Sequence, residues 1–255
     1  MWGSTYSYVR LHQPHPMFTA GNIPWTGNHD PSYLATRSEV LDHLQHCFEV
    51  CRQRVSLDAR FAYAYRGHKY LADEVVVDCV PVRSDGAPLR IRTKRLVKAF
   101  GFDVQVNDPL PLSSKSVRSV SPNHFDLLGE EMRSSTTPIY VIGAGKTGMD
   151  TAHDLLTHYP NRPVTLVIGT GMLFFDRDQQ FPRGLQRWYA GKTPLETFLD
   201  IAKRFDGRNE AEVLAHLRKH YTLSLVPDAR HFMYGLLSRD ELATITRGAR
   251  AILKD

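Results

Sequence analysis

Cysteine, long apolar runs and clustered charge are all scarce in this 255-residue sequence, and each scarcity excludes a class of protein. Three cysteines, Cys47, Cys51 and Cys79, form no disulfide framework, which agrees with a reducing compartment. No apolar run approaches the roughly 18 residues of a membrane span. The first residues also lack the basic and apolar segments of a secretory signal. We therefore expect a soluble, cytoplasmic protein.

Charge of one sign is not concentrated anywhere in the chain. Lys and Arg exceed Asp and Glu by a formal charge of +5, and they are dispersed along the sequence. Dispersed charge is typical of a solvated surface rather than of a nucleic-acid-binding stripe. We predict a small-molecule substrate, no nucleic-acid partner and no membrane span. The oligomeric state cannot be inferred from the sequence.

Common catalytic signatures are also missing. There is no H-E-x-x-H, G-x-S-x-G, P-loop or C-x-x-C motif. Several histidines have no acid or nucleophile at a catalytic spacing: His12, His15, His29, His68 and His124. His43, Cys47 and Cys51 are spaced for one helix face and could ligate a metal, but the cysteines share the stripe of Leu44 and Phe48. We predict that they are core residues and that no metal binds, so the chemistry must come from an organic cofactor.

The first half of the chain contains three patterns. Residues 1–35 have no helical or strand period but are rich in aromatic residues, which predicts an ordered irregular segment. Thr36 and Glu39 stand at capping-box spacing before an amphipathic helix. Between residues 57 and 106, large apolar residues alternate with small or polar ones. With a turn at Asp85-Gly86, this period of two predicts an antiparallel β-meander. A proline-rich crossover follows.

The second half begins with "PIYVIGAG", "KTGMDTAHDLLTHYP" and "RPVTLVIGTG". Strand, helix and strand in about 30 residues predict a βαβ unit with a parallel sheet. Beyond it we expect mostly helices. Thr193 with Glu196 caps one of them, and Ser238 with Glu241 caps a last helix, "RDELATITRGARAIL". The predicted fold class is α/β.

Gly143, Gly145 and Gly148 form a G-x-G-x-x-G motif between the predicted strand and helix. The first glycine permits a tight turn, the second lets the backbone approach a pyrophosphate, and the third lets the helix pack closely on the strand. The helix N-terminus then directs free N–H groups and its positive dipole end at the phosphates. The strand–turn–helix context supports dinucleotide binding.

The choice of dinucleotide depends on the end of the second strand. NAD sites commonly place Asp or Glu there, whereas this chain has Ile168-Gly169-Thr170-Gly171. The missing acid favours NADP over NAD. Lys146 and Thr170 could meet a 2′-phosphate, although residues of this kind are more often simply polar surface residues. Arg177 and Arg183 lie further along the loop.

The order of these segments resembles the flavin-containing monooxygenase-like flavoproteins. "MWG" is similar to the end of that family's G-G-x-W motif, and "YSYVRLHQPHPMF" to the segment after it. "LVKAFGFDV" resembles the strand with an A-T-G-like motif, here Ala99-Phe100-Gly101. "VIGAGKTGMDTA" matches the family's second glycine motif, the one that binds NADPH. Its mid-chain position is then explained as the second of two such motifs.

The resemblance implies cofactors, domains and site residues. It implies a Rossmann-type NAD(P)-binding domain at 136–255 with C-terminal helices, and a partial FAD-binding domain with the meander at 1–135. NADPH would deliver hydride to FAD, and reduced flavin would oxygenate a small organic substrate through a hydroperoxide. The residues assigned to the nucleotide are Gly143, Ala144, Gly145, Lys146, Thr147, Gly148 and Thr170. Those assigned to the flavin are Trp2, Arg10, His12 and Gln13. The resemblance assigns no catalytic residue.

The family's first glycine motif is absent from this sequence. We therefore expect a fragment or a truncated relative, with FAD binding impaired. Two alternatives remain open at this point: another flavin-dependent reductase reaction, and a catalytically inactive nucleotide-binding module.

Overall fold

The computed structural model describes residues 2–27, 30–83, 86–101, 106–189 and 193–254. The chain divides into two compact units: a larger one, Met1–Gln45 with Gln105–Asp255, and a smaller one, His46–Val104. Together they contain parallel and antiparallel sheets, so the fold is mixed α/β. The proposed boundary at 135/136 stays a prediction. His29 and Asp85 lie outside the described residues.

The smaller unit contains the predicted meander. Its strands are β1 (Tyr63–Tyr70), β2 (Val75–Pro81) and β3 (Leu89–Thr93), in the order β1-β2-β3 with both pairs antiparallel. Val75 and Val77 alternate along β2 and are its buried side chains. The period of two therefore predicted this sheet correctly.

Helix α1 (Arg37–Arg54) begins at the predicted capping box. The Thr36 backbone N–H donates to the Glu39 carboxylate at 2.7 Å, and the Glu39 N–H donates to Thr36 Oγ1 at 3.4 Å. Cys47 is buried as predicted, but the prediction for Cys51 was wrong, because Cys51 is exposed in the last turn of the helix. Periodicity shows which residues share a helix face, not how much of that face is covered.

The predicted βαβ unit is present in the larger unit. Strands β4 (Ile139–Ile142), β5 (Val164–Ile168) and β9 (Ala251–Lys254) form a parallel sheet in the order β4-β5-β9. Helix α3 (Lys146–His158) connects β4 to β5. Its buried face joins the central strand and the late helix in one apolar cluster, which includes Met149, Leu155, Leu166, Ile168 and Ile245.

The region after β5 contains the predicted helices, but a third sheet there was not predicted. A third sheet contains β6 (Met172–Asp176), β7 (Thr222–Leu223) and β8 (His231–Leu237), with β6 parallel to β8 and antiparallel to β7. The last helix, α8 (Arg239–Gly248), also ends earlier than predicted, because Ala251–Lys254 pairs with β5. Short apolar runs do not distinguish a buried strand from a helix by period.

Two of the later helices begin at their predicted capping boxes. Capping boxes are present at Thr193 and Ser238, before α6 (Pro194–Arg204) and α8. The others are α2 (Gly129–Ser134), α4 (Arg177–Gln180), α5 (Gln186–Tyr189) and α7 (Glu210–Tyr221). The irregular start contains short 3₁₀ turns and is held to residues 35–36 by backbone bonds of Arg10 and Leu11. In the described parts of the chain, no helix is long and apolar enough to cross a membrane.

Candidate functional site

The glycine turn lies between the end of β4 and the start of α3, and its three glycines differ in how strongly the fold requires them. Gly143 has φ +116°, a conformation that other residues rarely adopt. A Cβ on Gly148 would lie 2.3 Å from the Gly143 carbonyl oxygen, so this position must lack a side chain for α3 to pack against the turn. A Cβ on Gly145 would meet nothing within 4 Å. The fold therefore requires glycine at two of the three positions.

The start of α3 has the features of a phosphate site. Gly145 is the N-cap and has no side chain to bond the first N–H groups of the helix. Thr147 is exposed beside it, and Ala144 is half-buried. Free N–H groups at a helix start attract anions, and the open space at Gly145 lets a ligand approach the backbone. These residues fit the pyrophosphate of one dinucleotide.

Lys146 does not point its amine into solvent. Its side chain is only 8% exposed, and Nζ lies 2.5 Å from Asp150 Oδ1 and 3.8 Å from Glu241 Oε1. The interpretation of Lys146 as a polar surface residue was therefore wrong. A cation at a helix N-terminus is disfavoured by the helix dipole, and the two carboxylates offset that cost. Its backbone N–H belongs to the glycine turn, while its amine holds α3 to α8.

Arg177 and Glu241 complete this buried group of charges. Arg177 Nη1 lies 2.9 Å from Glu241 Oε2, and Arg177 Nε donates to the His12 carbonyl at 2.8 Å. Nη2 also donates to the Leu236 carbonyl at 3.2 Å. Burial would raise the pKa of Glu241, but Lys146 and Arg177 outweigh it and hold the pKa at about 2. We call Lys146, Asp150, Arg177 and Glu241 the charge cluster; its formal charges cancel.

The irregular N-terminal segment lies along α3. Tyr6 Oη donates to Asp150 Oδ2 at 2.9 Å, and the hydroxyls of Tyr8 and Thr151 are 2.8 Å apart. Burial raises the pKa of both tyrosines, so they remain neutral donors. The segment assigned to the flavin is therefore bonded to the helix that starts at the glycine turn.

His12 has an acid partner that the sequence spacing did not show. Its Nε2 lies 3.9 Å from Asp150 Oδ2. Burial and the nearby Lys146 lower the pKa of His12 to about 4, so the imidazole is neutral at pH 7. No acid stands at a catalytic spacing from His12 in the sequence, but the fold brings Asp150 close to it.

The other predicted flavin residues lie apart from this cluster. Trp2 packs against the small core of Leu11, Ala35 and Val40. Arg10 donates to the Leu34 carbonyl at 3.1 Å, and its guanidinium is 5.9 Å from the centre of the Tyr33 ring. Gln13 is half-buried. Thr170, in the loop after β5, is half-buried and accepts a backbone bond from Arg230 at 3.2 Å.

FAD fits the described residues less well than a pyridine nucleotide does. The N-terminal segment supplies no second glycine turn, and its described helices are 3₁₀ turns of three and four residues. Trp2 and Arg10 are already occupied by protein contacts.

Sequence reasoning missed most of the charge cluster. In the sequence, Asp150 is simply the fifth residue of α3, and Glu241 is recognisable only as part of the capping box of α8. Arg177 was considered only as a residue of the loop after the second strand. Its burial follows from contacts with residues 12, 236 and 241, which are far away along the chain.

Comparisons with known proteins give structural similarities only. No family description and no curated protein sequence matches the chain. A bacillithiol disulfide reductase, Bdr, from Bacillus cereus has a TM-score of 0.42 and 13% identity over 93% of this chain. Tmm from Pelagibacter sp. strain HTCC7211 has a TM-score of 0.45 and 18% identity over 71% of it. An ornithine N-hydroxylase from Kutzneria sp. 744, with reduced FAD, NADP⁺ and L-ornithine, has a TM-score of 0.40 and 17% identity over 89% of it.

This chain spans 58%, 40% and 51% of the lengths of those three proteins, respectively. With TM-scores below 0.5, the similarities carry no argument about the fold or the activity. The functional interpretation rests on the geometry of the glycine turn and of the side chains around it.

Proposed function

We propose that this chain binds NADP(H) in a Rossmann-type site at the glycine turn and belongs to an FAD- and NADPH-dependent, monooxygenase-like oxidoreductase. The observation that carries the nucleotide site is the open space at Gly145. Backbone conformation explains Gly143 and close packing explains Gly148, whereas neither requires glycine at position 145. A pyrophosphate lying against the backbone does require it.

In this proposal, the residues of the chain bind and orient the nucleotide. Backbone N–H groups of residues 145–148 hold the pyrophosphate at the start of α3. Lys146, Asp150, Arg177 and Glu241 keep that helix fixed to α8 and to the N-terminal segment. NADPH held in this site would supply a hydride for the oxidation of the small organic substrate. His12 stays neutral beside Asp150 and adds no charge to the cluster.

The assignment of FAD to Trp2, Arg10, His12 and Gln13 depends on the family resemblance. The structure supports one part of it, since the segment containing these residues is bonded to α3 through Tyr6 and Tyr8. A nucleotide-binding module without turnover is the second candidate. The contacts of Trp2 and Arg10 with protein groups, at two positions assigned to the flavin, favour it.

Replacing Gly145 tests the nucleotide site. Because the position is open but is the N-cap of α3, we expect Gly145→Val to lower the urea unfolding midpoint only slightly and to weaken NADP⁺ binding at least about tenfold by occupying the space of the pyrophosphate. Gly67→Val, in β1, is the matched control, because a Cβ there also meets nothing within 4 Å. Binding is measured by calorimetry on the full chain. Equal affinity in the wild type and Gly145→Val would contradict the proposed site.

An absorbance spectrum tests whether the chain binds FAD. After incubation with FAD and desalting, retained absorbance between about 300 and 550 nm, followed by NADPH oxidation, supports the oxidoreductase. NADP⁺ binding with a blank flavin spectrum supports the inactive module instead.

A further inference from the structure

The loop at the end of β5 is where a dinucleotide site distinguishes NAD from NADP. In such sites the adenosine ribose lies beside the end of the second strand, where an acid binds the 2′-hydroxyl or an Arg accommodates the 2′-phosphate. Here β5 ends at Ile168, and the next residues, Gly169 and Thr170, carry no charge. Any charged group at this position must therefore come from another part of the chain.

Arg230 is brought to this loop from 60 residues downstream. Its backbone N–H donates to the Thr170 carbonyl at 3.2 Å, and the next N–H, of His231, donates to the Gly171 carbonyl at 3.3 Å. The parallel pairing of β6 with β8 begins there, with Met172 opposite His231. The sheet register thus holds Arg230 beside the end of β5.

Close packing fixes the same arrangement. Gly171 has φ +79°, and a Cβ on it would lie 2.4 Å from Val226 Cγ2 and 3.2 Å from Ala229 Cβ. The glycine therefore lets the segment before Arg230 lie directly on the loop. On the other side, Arg218 Nη2 donates to the Ala229 carbonyl at 2.5 Å. The backbone just before Arg230 is therefore held by the Gly171 loop on one side and by Arg218 on the other.

Of the cations near the loop after β5, Arg230 is the one whose side chain is left to bind a ligand. Lys254, at the end of β9, pairs with Asp228 and stands opposite Ile168 in the sheet. The Arg230 side chain is exposed and makes no hydrogen bond or close ion pair with the residues that the structure describes, although its charge acts on the nearby Asp228. Three cations, Arg218, Arg230 and Lys254, and one carboxylate, Asp228, lie near this loop, so it favours an anion. A planar guanidinium suits a phosphate because it can donate two parallel hydrogen bonds.

We propose that Arg230 binds the 2′-phosphate of NADP and selects it over NAD, with Thr170 and Lys254 beside it. This inference rests on the proposed nucleotide site and adds the residue that determines its specificity. Sequence position conceals it, since the acid or Arg is normally sought directly after the second strand.

Equilibrium binding of NADP⁺ and NAD⁺ to the full chain tests the inference, because the two ligands differ only in the 2′-phosphate. We expect the wild type to prefer NADP⁺ at least about tenfold, the usual range for charge-assisted bonds to one side chain. Arg230→Ala should abolish that preference by weakening NADP⁺ and leaving NAD⁺ unchanged. Arg230→Lys should retain part of it, since the charge remains but the paired donors are lost.

Arg247→Ala is the matched control. Arg247 is also exposed, but it lies near the end of α8, just before β9 starts. It is therefore near the amino ends of the parallel strands, whereas Thr170 follows the carboxyl end of β5. Arg247→Ala should change neither affinity. The role of Arg230 would be overturned if the wild type bound NADP⁺ and NAD⁺ equally, or if its preference survived Arg230→Ala. Either result would leave the nucleotide site itself intact. Failure of the wild type to bind either ligand would overturn the nucleotide site as well.

Discussion

The two compact units contain the same kind of Arg–carboxylate pair in opposite environments. In the larger unit, Arg177 is 5% exposed where it meets Glu241, and the pair is enclosed by Lys146 and Asp150. In the smaller unit, Arg92 is 69% exposed where it meets Glu74. Water screens the second pair, whereas removing one partner of the first leaves a buried charge without compensation. The contribution of an ion pair to stability therefore depends on its burial rather than on its distance.

The apolar cores show the same contrast. Leu166, in the central strand β5, is completely buried in a cluster that includes α3 and α8. In the smaller unit, Val75 and Val77 are the buried residues of the meander, and its other described strand residues are at least partly exposed. We expect the stability of the protein to depend mainly on the larger unit, and the following changes test that expectation.

The largest effect is expected for Glu241→Ala. It leaves Lys146 and Arg177 with one carboxylate between them and removes the capping box of α8, so the free energy of unfolding should fall by about 3 kcal/mol or more. Urea denaturation followed by tryptophan fluorescence measures the change. Glu74→Ala, which breaks the exposed pair, is the control and should not shift the midpoint measurably. Similar losses for both variants would refute the contrast between the units.

A smaller difference is expected between two core truncations. Leu166→Ala should lower the free energy of unfolding by about 3 kcal/mol, because the residue lies at the centre of a packed cluster. Val77→Ala removes less buried surface and should cost about 1.5 kcal/mol. Hydrogen exchange would locate each loss, and faster exchange confined to β1–β3 is expected for Val77→Ala. Equal costs would show that the meander is packed as tightly as the parallel sheet.

At neutral pH the smallest effect is that of His12, whose contribution to stability changes only as the pH falls. The ordinary pKa of histidine is 6.5, and burial beside Lys146 lowers the pKa of His12 to about 4. Between these values the unfolded chain binds more protons, so the free energy of unfolding should fall as the pH drops from 6.5 towards 4. His12→Gln should flatten this slope, whereas His158→Gln, on the exposed face of α3, should have less effect.

Below that window a second group dominates. Glu241 has a pKa of about 2 in the folded state against an ordinary value of 4.5, so its stabilising contribution is present above pH 4.5 and is lost as the pH falls towards 2. Urea midpoints measured from pH 7 to pH 3 separate the two windows. An unchanged slope between pH 6.5 and 4 in His12→Gln would contradict the neutral, partly buried state of His12.

Local patterns predicted the elements that carry their own signals. The capping boxes at Thr36, Thr193 and Ser238 predicted helix starts correctly, and the period of two predicted the meander. The strands β8 and β9 were missed because short apolar runs acquire their structure from the strand beside them. The exposure of Cys51 was missed because a period does not show where packing ends.

The sequence by itself determined the βαβ unit and its glycine turn, since these depend on backbone freedom, helix capping and residues within about 30 positions. Only the tertiary structure decided which charges meet. Arg177 and Glu241 join Lys146, and Arg230 reaches the end of β5, through sheet register and close packing between distant segments. The physical reason is that burial and charge compensation depend on distance in space, which spacing along the chain does not encode.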